Sequence, residues 1–171
     1  MKTWIAEVLS EKGTPFRNSV KDWLKENTDL EVIDYEVKMQ PEGPINAEKN
    51  YGDIDIMVID HPNHIVYSLE CKNSVGARNI HEMKVEMDLY LGRDGNEKKA
   101  KIKKHVERDQ WLKAHPDKLL KLVKDASAYK IVSLILTSEE IPLGYLAKER
   151  VPLPIISFSK LKMEGKSALP K

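Results

Sequence analysis

The sequence predicts an α/β domain in which a mixed central β-sheet carries helices on both faces. Helix-like and strand-like periodicities alternate along the chain, with apolar residues every three or four positions in some segments and every second position in others. Residues 129–137 form one continuous apolar run rich in β-branched side chains, as expected of a strand that is covered on both sides. Such an alternation of helices and strands is typical of a sheet packed between layers of helices.

Two helices are predicted at the start of the chain. Apolar residues from Trp4 to Leu9 recur at helical spacing, and Gly13 favours the end of this first helix. Thr14 can cap a second helix that has Pro15 at its first position. We therefore expect a break between the two helices at Gly13 and Thr14.

Three strands are predicted next, and two of them form a hairpin. Apolar and charged residues alternate over 33–39, which predicts a strand with one solvent-exposed face, whereas the prolines and glycine of 40–50 predict a loop. Two further strands, 53–60 and 65–72, are separated by the four residues His-Pro-Asn-His. Proline and asparagine favour a tight turn, so these two strands should pair antiparallel.

The remaining chain continues the alternation of helices and strands. The predicted elements are, in order, a helix from Ile80 to Tyr90, a long basic helix over 97–115, a short helix from Pro116, the apolar strand at 129–137 and a last strand at 155–158. We expect a single domain over residues 1–171, with a core of about 14–158 and a frayed tail at 160–171. A domain cut from a larger protein stays open as an alternative.

Composition excludes several classes of protein. The lone cysteine, Cys71, excludes an internal disulfide and a cysteine-rich zinc site. No apolar run approaches the roughly 20 residues of a transmembrane helix, and Glu7 and Glu11 interrupt any secretory signal peptide, so we expect a cytoplasmic protein without a membrane partner. The formal net charge is +1, but acidic residues dominate before Cys71 and basic residues after it, which suggests an acidic centre beside a basic surface.

Three carboxylates and a lysine converge on the predicted hairpin. With the turn centred within residues 61–64, Asp55 faces Glu70 across the two strands. Asp53 then faces Lys72, and all four side chains share one face of the hairpin. Opposed carboxylates repel each other unless a positive charge lies between them, and Mg²⁺ suits carboxylate oxygens. A metal beside a lysine and an activated water is the equipment for phosphodiester hydrolysis.

These residues resemble the motif of the PD-(D/E)xK nuclease superfamily. The sequence Gly-Asp-Ile-Asp at 52–55, followed by Glu-Cys-Lys at 70–72, is similar to the family's Asp on one strand and Glu-x-Lys at the end of the next. The resemblance implies a restriction-endonuclease-like αβββαβ core and an endonuclease that depends on Mg²⁺, for which Mn²⁺ could substitute. It further implies that the metal ligands are Asp55, Glu70 and the backbone carbonyl of Cys71, and that Lys72 is the catalytic lysine.

Further acidic residues are considered together with this motif. Asp53 matches an acidic position two residues before the family's Asp, and we assign it no direct metal bond. Many members of the family also carry an acidic residue on the first core helix. Asp22 and Glu26 are available on the second helix and Glu11 on the first, but Glu7 is the favoured candidate for this extra ligand. If none of them reaches the site, a one-metal arrangement is the more consistent one.

Two groups of polar residues are predicted to contact nucleic acid. The first is a basic stripe on the long helix, which could follow a phosphate backbone: Lys101, Lys104 and Arg108. The second lies in the loop directly after the lysine and could hydrogen-bond to phosphates: Asn73, Ser74 and Arg78. A basic stripe alone is usually a solvated helix face, so these assignments depend on the acidic hairpin in the same chain.

The main hypothesis from the sequence is a metal-dependent endonuclease. DNA is the first substrate to consider because it is the commonest in the superfamily, and a homodimer would supply the two sites needed to cut both strands. A non-catalytic nucleic-acid-binding or scaffolding domain that retains the nuclease fold is the alternative. A surface hairpin held by an ion pair between Asp53 and Lys72, with no chemistry at all, also fits the predicted register.

Overall fold

A computed structural model describes residues 2–74, 76–92, 101–146 and 150–171, without the side chains of residues 2–13 and of Lys101. The strands are β1 (Glu31–Val32), β2 (Val37–Gln40), β3 (Ile45–Asn46), β4 (Gly52–Ile54), β5 (Ile56–Asp60), β6 (Ile65–Lys72), β7 (Lys130–Thr137) and β8 (Ile155–Ser157). The helices are α1 (Lys2–Asn27), α2 (Ile80–Leu91), α3 (Lys101–Ala114), α4 (Leu143–Leu146) and α5 (Phe158–Glu164), with 3₁₀ turns at Pro116–Leu119, Ala126–Ala128 and Gly165–Ala168.

The central sheet is mixed, as the sequence predicts. Its strand order is β1-β5-β6-β7-β8, in which β1 pairs antiparallel with β5, β5 antiparallel with β6, and the last three strands run parallel. The remaining strands form a second, smaller sheet in the order β3-β2-β4. The hairpin of β5 and β6 has the predicted register, from Asp60 opposite Ile65 to Ile56 opposite Leu69.

Apolar clusters cover both faces of the central sheet. Successive residues of β5 belong to different clusters, with Met57 in one and Val58 in the other. Since successive side chains of a strand point to opposite faces, the two clusters lie on opposite faces of the sheet. One face packs against α1 and α5 through fully buried side chains such as Leu24 and Leu161. The other packs against the small sheet and α3, whose Leu112 is fully buried. The expected helices on both faces are therefore present.

The predicted break in the first helix is wrong. One helix, α1, runs through Gly13, Thr14 and Pro15 to Asn27. A proline inside a helix removes one backbone hydrogen bond and disfavours the helix locally. Here the second half of α1 buries Val20 completely against the sheet, and this packing keeps the residues after the proline helical.

Of the single strand predicted over residues 33–39, only residues 37–39 form a strand. Its neighbours before Ile33 form β1 on the central sheet, whereas its last residues form β2 on the small sheet. Val37 and Met39 are buried as the alternation predicts, but Tyr35 is exposed in the connection. The chain changes its partner strand between these residues, and local periodicity carries no information about that change.

The end of the chain is packed rather than frayed. Ser157 caps α5 by accepting a hydrogen bond from the backbone N–H of Lys160. Leu161 and Leu169 are buried in the cluster beneath α1, and Lys166 forms an ion pair with Asp29 at 2.7 Å. The predicted tail at 160–171 is thus part of the core, because its apolar residues complete the α1 face of the sheet. Within the described residues, every helix is too short or too polar to span a membrane.

Candidate active site

Asp55 occupies the one-residue gap between β4 and β5, where the chain passes from the small sheet to the central sheet. Ile54 still pairs with β2, and Ile56 already pairs with Leu69 of β6. Asp55 therefore belongs to neither ladder, and its Oδ2 accepts a hydrogen bond from the backbone N–H of Cys71 at 2.8 Å. The break in the strand fixes this carboxylate against the end of β6.

The predicted pairing of Asp53 with Lys72 is wrong. Asp53 lies opposite Lys38 of β2, with its side chain exposed, because β4 has left the central sheet before reaching β6. Lys72 instead donates a hydrogen bond from Nζ to Oε1 of Glu70 at 2.6 Å. A surface hairpin held by an Asp53–Lys72 ion pair is excluded by this geometry.

Glu70 is buried and contacts basic side chains on both of its carboxylate oxygens. Lys72 engages Oε1, and the guanidinium of Arg108 donates through Nη2 to Oε2. Arg108 also donates through Nη1 to the backbone carbonyl of Asp53, so it connects the end of β4 to the end of β6. The prediction that Arg108 belongs to a solvent-facing basic stripe is wrong: only 4% of it is exposed, because α3 turns this side chain towards the sheet.

His105 is a site residue that the sequence interpretation missed. Its Nδ1 lies 2.8 Å from Nη2 of Arg108 and 3.3 Å from Oε2 of Glu70. A guanidinium has donors only, so Nδ1 must accept and the imidazole must be neutral. Burial lowers the pKa of His105 to about 4, which agrees with a neutral ring at pH 7.

A signal for this inward-facing group was present in α3. Ile102 and Leu112 are ten residues apart on the apolar side of the helix, and both are buried. His105 and Asp109 occupy the positions between them at spacings of three and four residues, and both are buried as well. Ionisable residues at core spacing on an amphipathic helix therefore indicated a polar group facing the sheet.

The two carboxylates of the site have opposite electrostatic environments. Burial, together with the negative charge of Glu70, raises the pKa of Asp55 to about 6. Burial also opposes ionisation of Glu70, but the positive charges of Lys72 and Arg108, together with the hydrogen bond from Lys72, outweigh that effect and hold its pKa below the usual value. Glu70 is thus an ionised carboxylate at neutral pH. Near Asp55, the positive charges of Lys72 and Arg108 are too weak to offset burial and the repulsion by Glu70.

Cys71 presents its backbone to the site and its side chain to the core. The residue packs against the apolar cluster beneath α1. Its position between Glu70 and Lys72, which point to the opposite face of the strand, predicts this orientation. Burial raises the pKa of its thiol, which keeps the thiol protonated. The side chain is therefore unsuited to act as a nucleophile or a metal ligand.

The other residues predicted to contact nucleic acid differ in their exposure and in their contacts. Lys104 is exposed but lies against Gly52, where an added methyl group would come within 2.7 Å of its side chain. The side chain of Lys101 lies outside the described residues. Arg78 and Asn73 are exposed on the loop after β6, and the backbone of Ser74 exchanges two hydrogen bonds of 2.9 Å with the Ser138 hydroxyl.

Glu7, the candidate for an additional metal ligand, is on α1, but its side chain falls outside the described residues and its role stays a prediction. Among the side chains that the structure describes, no group of three or more His, Cys, Asp and Glu residues is placed to hold a metal ion. The oxygen donors that do converge are the carboxylates of Asp55 and Glu70 at the backbone of Cys71.

Comparison with known proteins gives one match. The family model described as "Anti-phage protein Upx-like" matches residues 2–152, which is most of the chain. The matched segment contains Asp55, Glu70, Lys72, His105 and Arg108. Neither the curated proteins nor the solved structures gave a match.

Proposed function

Because this chain belongs to the Upx-like family of anti-phage proteins, we propose that it is a metal-dependent nuclease that hydrolyses phosphodiester bonds of nucleic acid, with DNA as the first substrate to test. The observation that carries the proposal is the group formed by Asp55, Glu70 and Lys72 at one end of a hairpin. A buried carboxylate, a second one that is partly buried beside it and a hydrogen-bonded lysine are costly to place together for stability alone.

The order of elements supports the same proposal. From α1 the chain runs through β1, β5 and β6 of the central sheet, then through α2 and α3 to β7. Apart from the second helix before β7, this is the order of helix, three strands, helix and strand that the nuclease resemblance implies. The small sheet of β2, β3 and β4 is inserted between β1 and β5, and its last strand delivers Asp55 to the site.

The donor set fits a hard divalent cation. Asp55, Glu70 and the backbone carbonyl of Cys71 would hold Mg²⁺ or Mn²⁺, since Mg²⁺ is commonly bound by one or two carboxylates and takes its other ligands from water and substrate phosphate. The raised pKa of Asp55 supports this assignment, because a cation would relieve its repulsion by Glu70. When bound, the metal would polarise the phosphate and lower the pKa of a coordinated water.

The chain's own residues would divide the remaining tasks. Lys72, whose side chain is 30% exposed, is accessible from solvent and would orient the attacking water or stabilise negative charge on the phosphate. Arg108 would hold Glu70 and the end of β4 in register as a positioning residue. Neutral His105 accepts from Arg108 and would fix the orientation of the guanidinium.

A non-catalytic nucleic-acid-binding domain is the second candidate, and one observation favours it. Both oxygens of Glu70 already have basic partners, Lys72 and Arg108, so this carboxylate is compensated without a cation. In that case the cluster would serve the fold, and the surface around Lys72 would bind nucleic acid without cleaving it.

A cleavage assay separates the two candidates. Supercoiled plasmid, linear duplex, single-stranded DNA and RNA are incubated with the protein in Mg²⁺, Mn²⁺ or EDTA. We expect metal-dependent cleavage that is lost in Asp55→Asn and in Lys72→Ala but kept in Asp53→Asn, a matched control because Asp53 is exposed two residues away. Cleavage that survives in Asp55→Asn or Lys72→Ala would overturn the assignment. Binding without cleavage in every metal would favour the second candidate.

A further inference from the structure

A cavity of about 480 Å³ opens directly beside Lys72. It lies between α2 and the loop that follows β6, and it is separate from the Asp55–Glu70 pair. Its volume falls within the range of roughly 300–1,000 Å³ found for sites that bind small molecules or parts of larger ligands. If Lys72 holds a phosphate of the substrate, the cavity next to it is large enough for the sugar or base attached to that phosphate.

The wall of this cavity formed by α2 is apolar. Val85 and Leu89, one turn apart on the helix, are 49% and 45% exposed, and both line the cavity. Tyr90 lines the cavity too but is largely buried. An exposed apolar wall of this kind can cover the face of a planar ligand.

Hydrogen-bonding groups lie in the same cavity. The hydroxyls of Ser74 and Tyr90 are 3.4 Å apart, and each can donate or accept. Glu86 accepts from the backbone N–H of Leu143, while its buried Oε1 has no hydrogen-bond partner among the described residues. That oxygen is enclosed by the protein and does not open into the cavity, whose polar lining includes Lys72, Ser74 and Tyr90. An apolar wall with such polar groups matches a nucleobase, which has stacking faces and hydrogen-bonding edges.

The described residues on the two sides of the loop after β6, 73–74 and 76–79, are fixed by hydrogen bonds. Ser74 and Ser138 exchange two hydrogen bonds of 2.9 Å, which tie the loop to the end of β7. At its other end, Glu82 accepts from the backbone N–H of Arg78 at 2.7 Å, and Asn79 caps α2. These contacts order the described part of the cavity wall before a ligand binds, which lowers the ordering cost of binding.

We propose that this cavity binds the base of a nucleotide next to the phosphate at Lys72, so that the substrate is nucleic acid with an unpaired nucleotide at the cleavage position. The proposal rests on the proposed function, because Lys72 locates the phosphate. A base within a duplex is stacked and paired, and it must leave the helix to enter a cavity. Single strands and locally opened duplexes meet this requirement, whereas a continuous duplex does not.

The test measures binding in EDTA, where cleavage does not interfere. Fluorescently labelled single strands, a matched duplex and a single strand of the same length with abasic sites throughout are titrated with the full chain. We expect the intact single strand to bind about tenfold or more tightly than the abasic strand and the duplex. In Val85→Trp, which fills the cavity, this preference should disappear. Ile80→Trp is the matched control, because Ile80 is exposed on the same helix and lines a different cavity.

Each outcome has a separate meaning. Equal binding of intact and abasic strands by the native protein, or tighter binding of the duplex, overturns the base site whatever the variants do. A base preference without cleavage in any metal keeps the base site and removes the nuclease. Cleavage with no base preference keeps the nuclease and removes the base site. If Val85→Trp proves unfolded by circular dichroism, the comparison of intact with abasic strands on the native protein decides alone.

Discussion

The two faces of the central sheet use the same strand for different purposes. On β6, Leu69 and Cys71 point into an apolar cluster beneath α1, whereas Glu70 and Lys72 point towards α3 and its buried His105 and Arg108. The face covered by α1 is stabilised by the packing of apolar side chains. The second buries charges whose removal from water costs free energy and which are tolerated only as a connected group. An apolar face thus lies behind a face that combines its own apolar cluster with a charged group whose burial lowers stability.

The largest effect is expected where one member of the charged group is removed. Arg108→Met should lower the free energy of unfolding by about 3–5 kcal/mol, because it leaves Glu70 buried with only part of its compensation. Urea denaturation followed by tryptophan fluorescence measures this loss. Arg108→Met combined with Glu70→Leu should recover most of the stability but no activity. A double variant as unstable as the single one would contradict the electrostatic origin of the loss.

A substitution on the apolar face should lower stability without a separate effect on activity. Leu24→Ala removes a completely buried side chain of α1 and should cost about 3 kcal/mol. Urea denaturation provides the measurement, and cleavage at a temperature where the variant remains folded should equal that of the native protein. A specific loss of cleavage would show that the two faces are coupled.

A smaller loss is expected at the strand that delivers Asp55. Gly52 has a φ of 89°, which side-chain-bearing residues rarely adopt, and a methyl group there would approach Lys104 within 2.7 Å. Gly52→Ala should therefore cost about 1–2 kcal/mol, of which the backbone strain is the main part. Gly52→Ala in a Lys104→Ala background tests this division: if the contact dominates, most of the loss should disappear.

The smallest effect has the opposite sign. Because the pKa of Asp55 is raised from 3.8 to about 6 in the folded protein, ionised Asp55 costs stability above pH 6, and this cost fades as the pH falls towards 4. Asp55→Asn should therefore stabilise the metal-free protein at pH 8 by on the order of 1 kcal/mol after allowance for partial exposure, and by little at pH 4. Thermal unfolding at both pH values measures it. Mg²⁺ should raise the Tm of the native protein only.

Local patterns in the sequence were sufficient to predict the hairpin of β5 and β6 and the positions of Glu70 and Lys72 on it. The turn residues between β5 and β6 determine the register, and alternation then places Glu70 and Lys72 on one face. The strand break at Asp55 was beyond such reasoning, because it depends on the pairing of β4 with β2, a contact that no local pattern records. The inward orientation of Arg108 was missed for a related reason: a basic residue on a polar helix resembles a solvated one until its partner, Glu70, is known.

The single thiol of the chain offers a way to observe the apolar face in isolation. Cys71 lies on the strand of the candidate site, yet its side chain packs on the side of α1. Because this packing covers the thiol in part, its rate of labelling should rise when α1 separates from the sheet, and changes in that rate report changes in the packing. One cysteine gives one kinetic phase, without competing signals. Ligands that bind on the α3 side would slow this labelling only if they also restrain the opposite layer.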